Sequence, residues 1–211
     1  MKILSVLLLS LMVSGCASSI NAHNADAYAR NASTAARQGD WDAARRMWAR
    51  AVVNASLAHA DKRYQAVMNY EYARSLGVTC FYDLAQQYFE AAYSLDKESN
   101  GPTYMSLGEL SRMYAAKGDN AKAAVYFSRA YQEGKSAGLE KHDPIGFADM
   151  ISDHVKVLSA LGESSAAQDK QRIASALRQA NPNVQTKTDS TPYGTQCVKQ
   201  TDGPSKGSNL Q

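Results

Sequence analysis

Small and large apolar residues recur along this chain at helical spacing, separated by short polar breaks. The clearest instance is "GDWDAARRMWARA", residues 39–51, where Trp41, Ala44, Trp48 and Ala51 fall on one stripe directly after a Gly-Asp break. The pattern returns as "GDNAKAAVYFSRA" (118–130) and "CFYDLAQQYFEAA" (80–92), and more faintly as "GESSAAQDKQRIA" (162–174). A helix-length segment precedes each copy, at 25–38, 66–79, 104–117 and 148–161. The reading is all-α, with about eight helices between residues 25 and 180 in four hairpins. Gly39, Gly118 and Gly162 allow the tight turn inside a hairpin at little steric cost. Alanine at Ala44, Ala85 and Ala123 lets the paired helices approach, and the aromatic four residues later fills the space beside them.

These copies resemble tetratricopeptide repeats, whose helix-turn-helix unit spans about 34 residues. The third copy matches best, with Leu107, Leu110 and Tyr114 on the first helix and Ala123, Phe127 and Ala130 on the second. The corresponding residues are Tyr28, Ala32, Ala35, Ala44, Trp48 and Ala51 in the first copy. In the second they are Tyr72, Ala73, Leu76, Ala85, Phe89 and Ala92. The fourth keeps Ile151, Val155, Leu158, Ala167 and Ala174 but has Gln171 where an aromatic belongs. The proline that usually closes such a repeat is missing from all four. Starts at 25, 66, 104 and 148 give periods of 41, 38 and 44, so each exceeds the family unit by roughly whole helical turns. Gly138, Pro144 and Gly146 punctuate the last excess, which therefore cannot be wholly helical. The resemblance implies a solenoid, since one helix pair cannot cover its own apolar face and stacked pairs bury a continuous core.

The first residues have a different character. Lys2 precedes an apolar run over 3–13, too short to span about 30 Å of hydrocarbon but suited to a secretory signal. The run ends in Val13-Ser14-Gly15-Cys16, which resembles the lipobox of bacterial lipoproteins. That resemblance implies a signal peptide over 1–15, cleavage before Cys16, and acylation of its sulfur and new amino group, palmitate included. Two or more acyl chains make a stable membrane anchor. Ala17, where some lipoproteins carry Asp, resembles the outer-membrane sorting pattern, with the chain facing the periplasm. An ordinary secretory signal with a chance cysteine is the alternative. Residues 16–24 read as a polar tether, and the Pro-, Thr-, Gly- and Ser-rich stretch 181–211 as an irregular or disordered tail. In an oxidising compartment, Cys80 and Cys197 are candidates for a disulfide that fastens this tail to the body. Otherwise Cys80 is a buried small hydrophobe and Cys197 an unpaired tail thiol.

Composition adds little direction. Hydrophobic residues make up 45%, enough for a packed core, and the formal charge of +3 is too small to argue for nucleic acid. No phosphate loop, H-E-x-x-H, paired C-x-x-C or nucleophile elbow occurs, so no enzyme and no cofactor is expected. One exception is "DMISDH", where Asp149, Asp153 and His154 lie on neighbouring turns and could form a metal or acid-base site. The competing reading is that acids near a helix start compensate its dipole.

In repeats of this kind the first helix of each pair lines a groove. Positions two, five and nine carried over from the family give Asp26 and Met105, Tyr70, and the row Ser33, Arg74, Arg112 and Lys156. Three basic residues in register would suit acidic side chains on a protein partner, a peptide carboxylate or an anionic polymer. Against this stands a merely solvated helix face. The leading expectation is a membrane-anchored periplasmic scaffold that binds a protein in secretion, pilus or peptidoglycan machinery. A purely structural spacer, its groove filled by its own tail, is the remaining alternative.

Overall fold

A computed structural model describes residues 2–185 and 190–198, with side chains from residue 17 onward. Nine helices and no strand occur among the described residues. They form the hairpins α1 (Lys2–Arg37) with α2 (Trp41–Leu57), α3 (Lys62–Val78) with α4 (Tyr82–Glu98), α5 (Thr103–Ala116) with α6 (Asn120–Ser136), and α8 (Pro144–Ala160) with α9 (Ser164–Ala180). The ninth element, α7 (Leu139–His142), is a single turn inside the longest repeat. Each hairpin packs on the next through its outer helix, and α3 also touches α5 as α5 touches α8. The four first helices therefore form an inner row, and α2, α4, α6 and α9 an outer one.

Local chemistry explains the boundaries. Asp40, Asp61, Asp119 and Asp143 sit at N-caps and accept from the backbone N–H three residues on, satisfying one orphan donor each. Pro144 occupies the first turn of α8, where its missing N–H costs nothing, so this helix begins four residues before the expected 148. Gly39, Gly118 and Gly162 take the left-handed conformation, with φ near 80°. Cys80 stands at the equivalent turn of the second repeat with φ 70°, a conformation a side chain resists.

The stripes of the sequence become the core. Ala44, Ala85 and Ala123 are wholly buried between their helices, and Trp48, Phe89 and Phe127 fill the adjoining space. Gln171 is exposed because, among the described residues, no further hairpin packs on α9, and an aromatic there would face water.

Helix α1 differs from expectation. It runs unbroken through residues 16–24, and Ser18 Oγ donates to Ala58 O at 2.8 Å. Ser18, Asn21, Asn24 and Ala25 lie on one half-buried to buried side, so α2 supplies a packing face for a stretch that composition alone makes polar. The side chain of Cys16 and those of the expected signal segment lie outside the described residues.

Candidate functional site

The inner row carries three charged steps in the same register. On α3, Arg74 Nη1 lies 3.0 Å from Glu71; on α5, Arg112 Nη1 lies 2.7 Å from Glu109; on α8, Lys156 Nζ lies 2.8 Å from Asp153. Arg112 Nε also donates to Asp153 at 3.2 Å, which joins two repeats. The acid stands three residues before the base each time, so the side chains meet on one helix face. The expected basic ladder exists as a row, but every member is paired with a carboxylate. Burial lowers the affinity of the Arg74 and Arg112 guanidiniums for their protons, yet their carboxylates outweigh it and the net shift is upward. Burial also raises Glu71 above the ordinary carboxylate range.

The tail enters this row. Thr191 Oγ1 accepts from Arg74 Nε at 2.8 Å, and the buried Tyr193 donates from its hydroxyl to Glu109 at 2.5 Å. Residues 194–198 then run along the end of α3. Gly194, Gln196 and Val198 donate their N–H groups to Gly77, Val78 and Thr79 O at the helix end, where carbonyls lack the partners that a helix interior supplies. Gln196 reaches the first repeat, with Nε2 on Gly39 O at 2.7 Å and Oε1 accepting from Trp41 N. Cys197 is bonded to Cys80, with 4.9 Å between their Cα atoms and a sequence separation of 117. The left-handed Cys80 thus stands where the other repeats have glycine because it carries the tail's attachment. Gly77 shows how closely the tail packs: a Cβ there would lie 2.6 Å from the Tyr193 ring.

Two clefts flank Arg112. One, of about 140 Å³, is lined by Tyr70, Tyr104, Met105, Gly108, Glu109 and Met150 together with Leu139 and Asp143. The other, of about 350 Å³, opens between Phe127, Asp153, Lys156 and the tail residues 190–193. Tyr70, Met105, Arg112 and Lys156, all named from the sequence, therefore line clefts. Arg74 lies beneath the tail, and Ser33 is half-buried on α1 and lines neither cleft. Asp26 accepts from the Tyr64 hydroxyl at 2.7 Å and joins α1 to α3.

The acid-histidine group does not converge. Asp149 pairs with Arg178 and Asp153 with Arg112 and Lys156, while His154 turns into the core and stacks on Phe127 at 5.4 Å. Its Nε2 has no partner among the described residues, and burial, with Lys170 nearby, pushes the imidazole down to about 4. No cluster of three or more possible metal ligands occurs among the described residues. Asp149, Asp153 and His154 therefore face three different surroundings and do not meet at one point.

Sequence reasoning missed Tyr193, Gly108 and the acidic partners Glu71 and Glu109, and named Asp153 in a different role. The partners were visible as an acid three places before each groove base; Tyr193 sits in a stretch without periodicity.

No protein-family model matches the chain, and no curated protein matches it. Solved structures do. The crystal structure of BtubC (BKLC) from P. vanneervenii superposes with a TM-score of 0.69 at 17% identity, covering 79% of this chain and 67% of that one. A kinesin light chain from Podospora anserina with nearly identical TPR-like repeats gives 0.62 at 14% identity, over 76% and 77% respectively. At such identity the likeness shows the fold: an all-α, TPR-like repeat solenoid.

Proposed function

We propose that this chain is a lipid-anchored scaffold that holds a protein partner on its inner face, at the periplasmic side of a bacterial outer membrane. The observation that carries the reading is the pair of clefts on the inner row, built from repeats two to four, the larger of them bordered by the tail. A TPR-like solenoid offers that surface without chemistry of its own, and the solved neighbours include a kinesin light chain described by its TPR-like repeats. The lipobox at residues 13–16 supports the anchor, and the Cys80–Cys197 bond suits an oxidising compartment. Envelope assembly, whether in secretion, pilus or peptidoglycan machinery, is the setting this address suggests. An acidic partner has lost its main support, because the groove cations are already paired.

A second reading has its own observation. Tyr193 inserted on Glu109 fills part of the groove from within, as a spacer sealed by its own tail would require. Two variants separate these readings and test the anchor. Cys16→Ser should abolish membrane anchoring; normal processing and anchoring of that variant would remove the lipoprotein reading. Met105 is exposed on the inner row, so Met105→Glu should reduce partner co-purification at least tenfold without changing the melting point. Co-purification equal to wild type would favour the spacer.

A further inference from the structure

The described glycines divide by cause. Gly39, Gly118, Gly138, Gly162 and Gly194 adopt positive φ. Gly77, Gly101, Gly134 and Gly146 leave room for a neighbour, since a Cβ at each would lie within 2.8 Å of Tyr193, Asp96, Leu139 or Asp143 respectively. Gly108 has neither reason. It lies inside α5, where glycine costs about 1 kcal/mol relative to alanine, and a Cβ there would meet nothing closer than Met150 Sδ at 3.8 Å. Position five of the inner helix is Tyr70 in the second repeat and Gly108 in the third. The missing side chain opens the smaller cleft.

The lining of that cleft describes its occupant. Its volume of about 140 Å³ is well below the about 300–1,000 Å³ of a cofactor-sized site, and fits one long side chain. Met105, Leu139 and Met150 offer apolar contact for an alkyl stem, and Tyr70 and Tyr104 offer ring faces that attract a cation. Arg112 is neutralised by Glu109 and Asp153. Asp143 uses Oδ1 to cap α8 at Gly146 N, and no Lys, Arg or His among the described residues lies within ion-pair distance of it. One carboxylate at the cleft is thus left without a cationic side chain beside it.

We propose that the Gly108 cleft is the anchor pocket of the inner face and takes a lysine or arginine side chain from a partner's polypeptide. The stem lies over Met105 and Met150, and the cation meets Asp143 and the tyrosine rings. This rests on the scaffold reading and specifies the partner's chemistry, in the opposite sense from a basic groove seeking acids.

The test uses the full chain purified in detergent and three blocked pentapeptides, alanine throughout except for a central lysine, norleucine or glutamate. The methyl resonances of Met105 and Met150 report occupancy. The lysine peptide should shift both saturably, and at least tenfold more tightly than the other two. Gly108→Leu, which fills the cleft with its own side chain, should weaken binding more than tenfold. Asp143→Asn retains the helix cap and should weaken it roughly fivefold, which keeps the idea testable if the leucine variant folds poorly. No saturable shift with the lysine peptide, equal binding of norleucine or glutamate, or unaltered binding to both variants would overturn the pocket. A partner that crosslinks to the inner face while the lysine peptide does not bind would leave the scaffold standing and the pocket refuted.

Discussion

His154 is buried, stacked on Phe127 and, among the described residues, without a partner at Nε2. Its imidazole is held neutral down to about 4 by burial and Lys170. Between that value and the ordinary one near 6.5, the folded chain binds fewer protons than the unfolded chain. Stability is therefore complete above the ordinary value and falls as pH drops through the window, by at most about 3 kcal/mol. His154→Leu should flatten this part of the pH profile in thermal melts; an unchanged slope would place the imidazole in water. At Ala123, wholly enclosed between α5 and α6, leucine should cost roughly 1–3 kcal/mol by overpacking, and a melting point equal to wild type would refute that helix pairing. Ala123 was legible in the sequence because its contacts repeat with the helical period. The surroundings of His154 were not: Asp149 and Asp153 are its neighbours along the helix, whereas Phe127 and Lys170 come from other helices.

The hairpins announced themselves through alanine-aromatic spacing, yet two elements follow contacts no local pattern encodes. Residues 16–24 are helical because α2 receives one side of them. The tail lacks periodicity, but its place is set by the helix-end carbonyls of α3, by the Tyr193 socket and by Cys80. Only the even count of two remaining cysteines hinted at it. Closing a loop of this length by a disulfide contributes up to about 4–5 kcal/mol in chain-entropy terms. Gly77→Ala probes the docking itself. Alanine should strengthen α3 by up to about 1 kcal/mol, while its Cβ would drive the Tyr193 ring out of its socket. The expected outcome is a tail cleaved by protease at least tenfold faster in the variant, with helix content preserved. Equal cleavage rates would mean that Tyr193 does not occupy the socket.

Across the whole molecule, four hairpins form a solenoid whose last helix is polar outside and whose inner row is a neutral lattice of ion pairs, not a cationic track. The register of that row was readable from the repeat; its neutrality required seeing each acid and base meet. The tail covers Arg74 and leaves the clefts beside Arg112 open, so binding and self-closure share one face. Photocrosslinking in native membranes separates binding from closure most directly, with a benzophenone amino acid at Met105 on the inner row or at Val125, exposed on the outer helix α6. A discrete protein adduct from Met105, absent from Val125, is the predicted result. No adduct from Met105, or the same adducts from both positions, would contradict an inner face that holds a protein partner.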